Sequence, residues 1–367
     1  MMDLYRIDSH KLMYHPDRIA QWQKAGDEWE QAKSVYPLYV EIAPAGACNH
    51  RCTFCAVDYI GYKTRSLEKD LLKRRVAEMA ERGVKSIMYA GEGEPLLHRH
   101  IGELIVHTQK VGIDVALTTN AVALNEHLIQ EALGSVTWIK ASVNAGTRET
   151  YSKVHQTKAD DFDRVFRNLT KAAEVKRANR YHCTIGVQMV LLPENQHEAV
   201  TLTARAKDAG ADYVVIKPYS QHLMSPGTME KGYKAFDYSR IFPMEQALVA
   251  LDDDRFKVIF RRRTMEKLVE GDRRYSVCQA TPFFWAYVMA NGAVYGCSAY
   301  LEDARFCYGN LNEQSFAEVW EGESRRQNFH YVRRELNISE CRQNCRMDEV
   351  NRYLWDLQHP PAHVNFI

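Results

Sequence analysis

Short apolar runs alternate with longer amphipathic stretches from about residue 37 onward. Six of these runs are rich in β-branched and aromatic residues and predict strands. They are PLYVEIA (37–43), KSIMYAG (85–91), DVALTTN (114–120), TWIKASVN (137–144), HCTIGVQMVLL (182–192) and YVVIKPY (213–219). The stretches between them, such as SLEKDLLKRRVAEMAERG and HEAVTLTARAKDAG, carry apolar residues at helical spacing. Six β-α repeats in series predict an α/β fold with a parallel sheet, either open or closed into a partial (β/α)6 parallel barrel. Reactive groups in such folds gather at the carboxyl ends of the strands.

The pattern changes beyond about residue 275. The runs FFWAYVMA and GAVYGC predict short strands, and small helices follow them, the last being RMDEVNRYLWDLQ. We therefore expect four segments. They are a helical extension over 1–36 packed on the barrel, the core barrel over 37–235, a connecting helical and strand segment over 236–274, and a small C-terminal α+β domain over 275–367.

Composition and charge narrow the class of protein. Hydrophobic residues make up 46% of the chain, which is ordinary for a globular protein, and no apolar run approaches the length of a membrane span. Lys and Arg number 48 against 47 Asp and Glu, so no global field would attract nucleic acid. The start, MMDLYRIDSHKLMYHPDR, carries charges where a signal peptide would be apolar. We expect a cytoplasmic protein with neither a membrane nor a nucleic-acid partner.

The cysteines indicate metal or thiol chemistry. There are nine, and an odd number without a secretory signal argues against a disulfide framework. Cys48, Cys52 and Cys55 occur as CNHRCTFC directly after the first predicted strand. Zinc and iron–sulfur cubes normally take four protein ligands, so three close thiolates suggest a cube with one iron open to a non-protein ligand. A structural zinc site that also uses His50 is the alternative.

This motif, with an aromatic residue (Phe54) before its last cysteine, resembles that of the radical S-adenosylmethionine (radical SAM) superfamily. The resemblance implies a [4Fe–4S] cluster whose open iron is chelated by SAM, and cleavage of SAM to a 5′-deoxyadenosyl radical that abstracts a substrate hydrogen. The second strand ends in AGEGEP, which is similar to the superfamily's GGEP signature. Gly93, Glu94 and Pro95 match that signature, whereas Glu92 departs from it.

The resemblance also suggests residues that contact the cofactor and the substrate. The candidates for cofactor binding are Phe54, Gly93, Glu94, Asn120, Ser142, Asn144 and Gln188. Lys217 and Tyr219 end the sixth strand and are candidates for assisting a deprotonation.

A second group of cysteines lies near the C-terminus. Cys278 and Cys297 flank Gly292, and Cys341 and Cys345 form CRQNC. Together with GNLNEQSFAEVWEGE (309–323), this resembles a SPASM domain. A full SPASM domain has seven cysteines, so four imply the shortened, twitch-like form with one auxiliary [4Fe–4S] cluster, although CRQNC departs from the expected CxxC spacing. A structural zinc with the same four ligands is the alternative.

Two cysteines remain, Cys183 and Cys307, and both lie among apolar neighbours. A small buried side chain is the simpler interpretation of each. Cys307, in the auxiliary region, is the better candidate for a thiol that returns a hydrogen atom to a substrate radical.

The reaction is inferred by analogy with the family. Only 47 residues precede Cys48, so we expect no N-terminal leader-binding domain of the kind that many peptide-modifying members carry. We favour dehydrogenation of a small polar metabolite, a sugar, aminocyclitol or sugar nucleotide, with a flavodoxin- or ferredoxin-like electron donor. The alternatives are a carbohydrate epimerase with a cysteine hydrogen donor, a peptide- or protein-modifying enzyme, and a non-enzymatic metal-binding protein.

Overall fold

The computed structural model of the chain describes residues 4–271 and 273–366. Ten strands of this part form one sheet in the order β10-β9-β8-β1-β2-β3-β4-β5-β6-β7. The strands are β1 (Tyr39–Ile42), β2 (Ser86–Tyr89), β3 (Asp114–Thr119), β4 (Trp138–Ser142), β5 (Thr184–Leu191), β6 (Tyr213–Pro218), β7 (Lys257–Phe260), β8 (Trp285–Val288), β9 (Ala293–Tyr295) and β10 (Cys307–Asn310). The run from β8 through β1 to β7 is parallel, whereas β9 and β10 pair antiparallel at one edge. The predicted α/β fold with a parallel sheet is confirmed.

The helices connect the parallel strands or follow the sheet. Those in the first half of the chain are α1 (Pro16–Ala25), α2 (Trp29–Ala32), α3 (Lys69–Glu81), α4 (Ile101–Lys110), α5 (Glu126–Ala132), α6 (Arg148–His155) and α7 (Asp160–Asn179). Those in the second half are α8 (Ala199–Asp208), α9 (Pro226–Glu230), α10 (Glu245–Val249), α11 (Arg262–Glu270), α12 (Phe316–Trp320), α13 (Glu323–Arg334) and α14 (Asp348–Gln358).

The two faces of the sheet differ because successive side chains of a strand point to opposite sides. Val40 and Ile42 of β1 belong to the main hydrophobic core, together with residues of α3, α4, α7 and α8. The alternate positions form the other face, which we call the inner face. Tyr39, Met88, Ala116 and Trp138 lie on it as a small apolar cluster. Helices therefore cover one face of the strands, and the inner face is left for polar side chains.

The sheet extends beyond the six predicted strands. β7 lies within the segment expected to connect two domains, and it pairs parallel with β6. β8, from the C-terminal segment, pairs parallel with β1 in the register Tyr39–Trp285 and Glu41–Tyr287. A four-residue strand gives little periodic signal, so pairing with neighbours distant in sequence decides these positions. The C-terminal segment thus continues the core sheet.

The N-terminal extension packs on two parts of the molecule. Its buried residues, among them Trp22 and Val35, form a cluster with Phe283, Phe329 and Leu354 of the C-terminal segment. Tyr5 and Ile7, nearer the start of the extension, pack against Tyr213, Val215 and Ile259 of β6 and β7. The extension therefore contacts both the core sheet, where it was expected, and the C-terminal segment. None of the helices in the described part of the chain has the length and apolar character needed to cross a membrane.

Candidate functional site

The first cysteine loop follows β1 and is held by α6. The backbone N–H groups of Arg51 and Thr53 donate to the carbonyls of His155 (3.1 Å) and Val154 (2.9 Å) at the end of α6. The Sγ atom of Cys52 lies 3.1 Å from Nδ1 of His155. These bonds fix the loop at the carboxyl end of the sheet, where the fold was expected to place reactive groups.

The second-strand motif packs directly under this loop. The backbone N–H of Glu94 donates to the carbonyl of Ala47 at 2.9 Å. A Cβ atom at Gly93 would lie 2.4 Å from the Ala47 oxygen and 2.6 Å from the Gly46 carbonyl carbon, so only glycine permits this approach. Glu92, which departs from the GGEP pattern, is buried and binds the guanidinium of Arg65 through both carboxylate oxygens, at 2.9 and 3.1 Å. Glu92 therefore ties the motif to the segment before α3.

The Glu94 carboxylate accepts hydrogen bonds from three residues. Oε1 accepts from Leu96 N at 3.0 Å and from the Thr119 hydroxyl at 2.5 Å, and Oε2 accepts from Asn120 N at 2.8 Å. A carboxylate offers about four acceptor positions, so one on Oε2 is left for a ligand. Burial raises the pKa of this carboxyl, which the three donors oppose. An ammonium group of a bound ligand would occupy the remaining acceptor position of Oε2.

The three thiols fit an iron–sulfur cluster. They lie within electrostatic reach of one another, on one loop of eight residues. Burial raises the pKa of Cys48 to about 11 and also raises the pKa of Cys52 and Cys55. Thiolates are unfavourable there unless a positive centre compensates them, and a cluster supplies that compensation.

Two histidines, His50 and His155, lie beside Cys52. The ligand atoms of His50, Cys52 and His155 all lie within 4.8 Å of one another. However, a site of these three side chains would leave out Cys48 and Cys55 of the same loop. The zinc alternative with His50 therefore explains fewer of the converging groups than a cluster does.

The second cysteine set also converges. The Cys297 thiol interacts electrostatically with Cys278, Cys341 and Cys345, and burial raises the pKa of Cys345 to about 12. The Tyr300 hydroxyl lies 3.1 Å from Sγ of Cys341. Asn351 of α14 holds the other ligand segment, with Oδ1 accepting from the backbone N–H groups of Gln279 (2.7 Å) and Ala280 (2.8 Å). Four thiols with fixed backbones suit a second cluster.

Comparison with known families agrees with both sites. Residues 42–205 match the model of the radical SAM superfamily, and residues 278–346 match the SPASM iron–sulfur cluster-binding domain. Residues 42–205 are a radical SAM domain. The C-terminal segment is a SPASM domain, as the cysteine pattern predicted. The cofactors of this radical SAM protein are accordingly SAM, its [4Fe–4S] cluster and an auxiliary [4Fe–4S] cluster.

Curated relatives match part of the radical SAM protein. The GTP 3′,8-cyclase of Chlorobaculum tepidum is 34% identical over 135 residues, which are 36% of this chain and 40% of that protein. A probable GTP 3′,8-cyclase of Saccharolobus islandicus is 33% identical over 139 residues, which are 37% of this chain and 44% of that protein. The chain thus spans less than half the length of these relatives.

Solved structures extend the likeness to the whole fold. SuiB of Streptococcus suis bound to S-adenosylmethionine superposes with a TM-score of 0.64 at 18% identity, covering 85% of this chain and 70% of SuiB. The enzyme anSMEcpe with bound AdoMet gives a TM-score of 0.57 at 18% identity, covering 88% of this chain and 95% of that one. At this identity the likeness shows a common fold.

The remaining predicted cofactor residues fall into two groups. The first group lies around the first site and consists of Phe54, Asn120, Ser142 and Gln188. The Phe54 ring packs edge-on against His155, with ring centroids 5.3 Å apart. The side-chain amide of Gln188 donates to the Ser142 hydroxyl at 3.3 Å. The Asn120 side chain donates to Asn49 of the cysteine loop at 2.7 Å.

Asn144 differs from these residues. It is fully buried, and its Oδ1 accepts from Val190 N at 2.8 Å. Asn144 thus anchors the end of β4 to β5, and its contact with the cofactor stays a prediction.

The other candidates are dispersed. Lys217 lies on the inner face near the end of β6, whereas Tyr219 packs in a cluster with Tyr233 and Phe54. Cys307 lies on the edge strand β10, opposite Tyr295 of β9. Cys183 is buried in the main core, as its simpler interpretation predicts.

The sequence analysis missed several residues of the inner face. Glu41 of β1 forms an ion pair with Arg346 at 2.7 Å, and Lys140 of β4 lies within electrostatic reach of both. A signal was present, since a charge in the middle of an otherwise apolar strand such as LYVEIA or TWIKAS is unusual. His155 carried no such signal, because only the tertiary structure brings it to Cys52.

Proposed function

We propose that this protein is a radical SAM oxidoreductase that removes hydrogen from a small polar metabolite of the sugar or sugar-nucleotide type. The observation that carries the proposal is the position of the auxiliary cysteine loop. Arg346 directly follows Cys345 and forms its ion pair with Glu41 on the inner face of β1. The loop that holds the auxiliary ligands therefore lines the same space as the strands of the core.

The cofactors supply the one-electron chemistry: SAM and its cluster abstract a hydrogen atom, and the auxiliary cluster can accept an electron. The chain must position the substrate and take up a proton. In the proposed reaction the substrate loses two hydrogens in all. The first leaves as a hydrogen atom and ends up in 5′-deoxyadenosine. The second leaves as a proton, which a base takes up, and an electron, which an acceptor takes up. The chain thereby catalyses a two-electron oxidation, and a flavodoxin- or ferredoxin-like protein supplies the electron that primes the first turnover.

Lys217 is better suited than Tyr219 to receive the proton. Burial, followed by the neighbouring cations, lowers the pKa of Lys217 well below its usual value, so the neutral amine is available. Burial raises the pKa of Tyr219, which makes its phenolate inaccessible near neutral pH. A proton acceptor needs a pKa near the working pH.

A small polar substrate is supported by the charged side chains of the inner face and by the GTP 3′,8-cyclases among the relatives, whose name specifies a small-molecule substrate. Some structural neighbours bind peptides, such as SuiB with the precursor peptide SuiA, but that likeness concerns the fold. Peptide modification is therefore the second outcome to be tested.

The test is anaerobic turnover of the reconstituted protein with SAM, a chemical reductant and a panel of sugars and sugar nucleotides. We expect 5′-deoxyadenosine and a product about two mass units lighter than its substrate, from the loss of two hydrogens. Cys307→Ala should still form this oxidised product, because Cys307 then serves only packing. A product of unchanged mass, whose deuterium uptake from deuterated water requires Cys307, would instead establish the epimerase alternative.

A further inference from the structure

The inner face concentrates positive charge. Lys140 on β4 and Lys217 on β6 project from the middle and the end of apolar strands, and their ammonium groups interact electrostatically. Arg342 and Arg346, from the loop that carries Cys341 and Cys345, act on the same lysine. One loop and two strands distant in sequence thus bring four basic side chains to one space.

Most of the positive charge at this face is not compensated. Glu41 is the carboxylate of the group, and it is paired with Arg346 at 2.7 Å. Arg342 donates to the hydroxyl and the carbonyl of Ser220, at 2.9 and 2.8 Å, which are neutral acceptors. Arg261, a further neighbour, is already bound to Asp8 at 2.9 Å. Counting side chains alone, the face holds an excess of about two positive charges even when Lys217 is neutral, and the thiolates of the auxiliary cluster offset part of it at Arg342, which lies within electrostatic reach of Cys297 and Cys345.

The surroundings of Lys140 give the clearest indication that these positive charges bind a ligand. In the described part of the chain its Nζ atom makes neither a hydrogen bond nor an ion pair, and it lies 5.3 Å from the centroid of the Trp138 ring. Burial and the nearby arginines lower its pKa to about 8. Placing a partly buried ammonium group beside other cations is unfavourable, and an anion that joined them would relieve this.

Two buried donors on β8, the strand next to β1, also indicate a bound acceptor. Trp285 and Tyr287 of β8 pair with Tyr39 and Glu41 of β1, and both are 2% exposed. Within the described residues, neither Nε1 of Trp285 nor the Tyr287 hydroxyl has a hydrogen-bond partner. Buried donors of this kind normally have an acceptor.

We infer that the substrate of the proposed reaction carries a phosphoryl group, and that Lys140, Arg342 and Arg346 bind it on the inner face; this rests on the proposed function. A phosphoryl group carries nearly two negative charges and three acceptor oxygens, which matches the excess charge and the planar donors of arginine. A single carboxylate would compensate half of the charge. An aminocyclitol, being a cation, would be repelled, so the inference selects sugar phosphates and sugar nucleotides among the candidate substrates.

The experiment measures anion binding to the reconstituted protein under anaerobic conditions by calorimetry, with inorganic diphosphate as the probe and succinate as the carboxylate comparison. We expect saturable diphosphate binding that Lys140→Met weakens about tenfold or more, since a charged hydrogen bond is lost. Lys140→Arg should restore most of the affinity. Lys110→Met, at an exposed lysine of α4, is the matched control and should bind as the unmodified protein does.

A second measurement does not depend on the folding of a variant. Acetylation of lysines in the unmodified protein, read by mass spectrometry, should be suppressed at Lys140 by diphosphate and unaffected at Lys110. Equal acetylation of Lys140 with and without diphosphate would overturn the inference. So would tighter binding of succinate than of diphosphate, or displacement of diphosphate by SAM, which would assign the cations to the cofactor.

Failure of this inference and failure of the proposed function give different results. Diphosphate binding needs no turnover, so binding at Lys140 without any oxidised product would contradict only the proposed reaction. Oxidation of an uncharged sugar by a protein that does not bind diphosphate would contradict only the inferred phosphoryl site.

Discussion

Glu94 shows how a single side chain can serve both the fold and a ligand. Its carboxylate joins the turn after β2 to the end of β3 through the donors of Leu96, Thr119 and Asn120. Replacement by alanine would leave three donors without an acceptor, and its effect on the cofactor could not be separated from a local rearrangement. Glutamine keeps the shape of the side chain and removes its charge, so it is the sharper substitution.

We expect Glu94→Gln to weaken SAM binding by tenfold to a hundredfold or more, because a charge-assisted hydrogen bond contributes about 1.5–3 kcal/mol. The measurement is equilibrium binding of SAM to the anaerobic protein, with iron content determined in parallel and expected to be unchanged. Glu92→Gln is the control two residues away, since it breaks the ion pair with Arg65 and should lower stability alone. Equal SAM affinity in the two variants would remove Glu94 from the cofactor site.

At the scale of elements, the two cysteine loops depend on different supports. The loop after β1 is fixed by α6 and by the turn after β2, whereas the C-terminal set is fixed by α14 and Tyr300. Because the supports are separate, loss of one cluster should leave the ligands of the other in place.

Replacement of Cys48, Cys52 and Cys55 together by alanine should reduce the iron content from about eight to about four atoms per chain and abolish SAM cleavage. Cys183→Ala is the control, since that thiol is buried in the main core away from both sets and should leave about eight. Iron and zinc are measured by elemental analysis after anaerobic reconstitution. Full iron in the triple variant, or zinc in the unmodified protein, would contradict the assignment of the first site.

At the scale of the molecule, one buried arginine joins three regions. Arg325 of α13 is fully buried and stacks on the Trp320 ring at 4.1 Å. Its guanidinium donates to the backbone carbonyls of Ala32, Lys33, Val35, Pro282 and Trp320. Burial lowers its pKa to about 9, so most of its charge is kept near neutral pH and is balanced by these carbonyls. The side chain therefore connects the N-terminal extension, the approach to β8 and the C-terminal helices.

We expect Arg325→Met to lower the free energy of unfolding by about 3 kcal/mol, because several buried carbonyls lose a charged donor. The exposed neighbour Arg326, which pairs only with Glu323 of the same helix, provides the control, and Arg326→Met should change stability by less than about 0.5 kcal/mol. Chemical denaturation of both variants measures the difference. Similar stabilities for the two would show that the extension is held by its apolar contacts alone.

Local patterns determined much of this protein. Strand periodicity placed β1 to β6 to within a few residues, because a buried strand between amphipathic helices leaves a long and regular signal. The spacing of Cys48, Cys52 and Cys55, and the short motif ending in Glu94 and Pro95, identified the chemistry, since groups a few residues apart on one loop must converge. The C-terminal cysteines are farther apart, and their resemblance to the SPASM pattern identified the second cluster domain.

Only the tertiary structure decided the rest. His155 reaches Cys52 across 103 positions of the chain, and Arg346, near the C-terminus, reaches Glu41 on the first strand. β8 continues the core sheet beside β1, which places the auxiliary loop on the inner face, and the N-terminal extension finds partners in the C-terminal segment. Such contacts depend on which surfaces are complementary after folding, and the periodicity of a single segment carries no information about them. The sequence determined the positions of the charged strand residues Glu41, Lys140 and Lys217 only in part. Their burial could be read from the apolar strands around them, but their assembly into one site required the sheet.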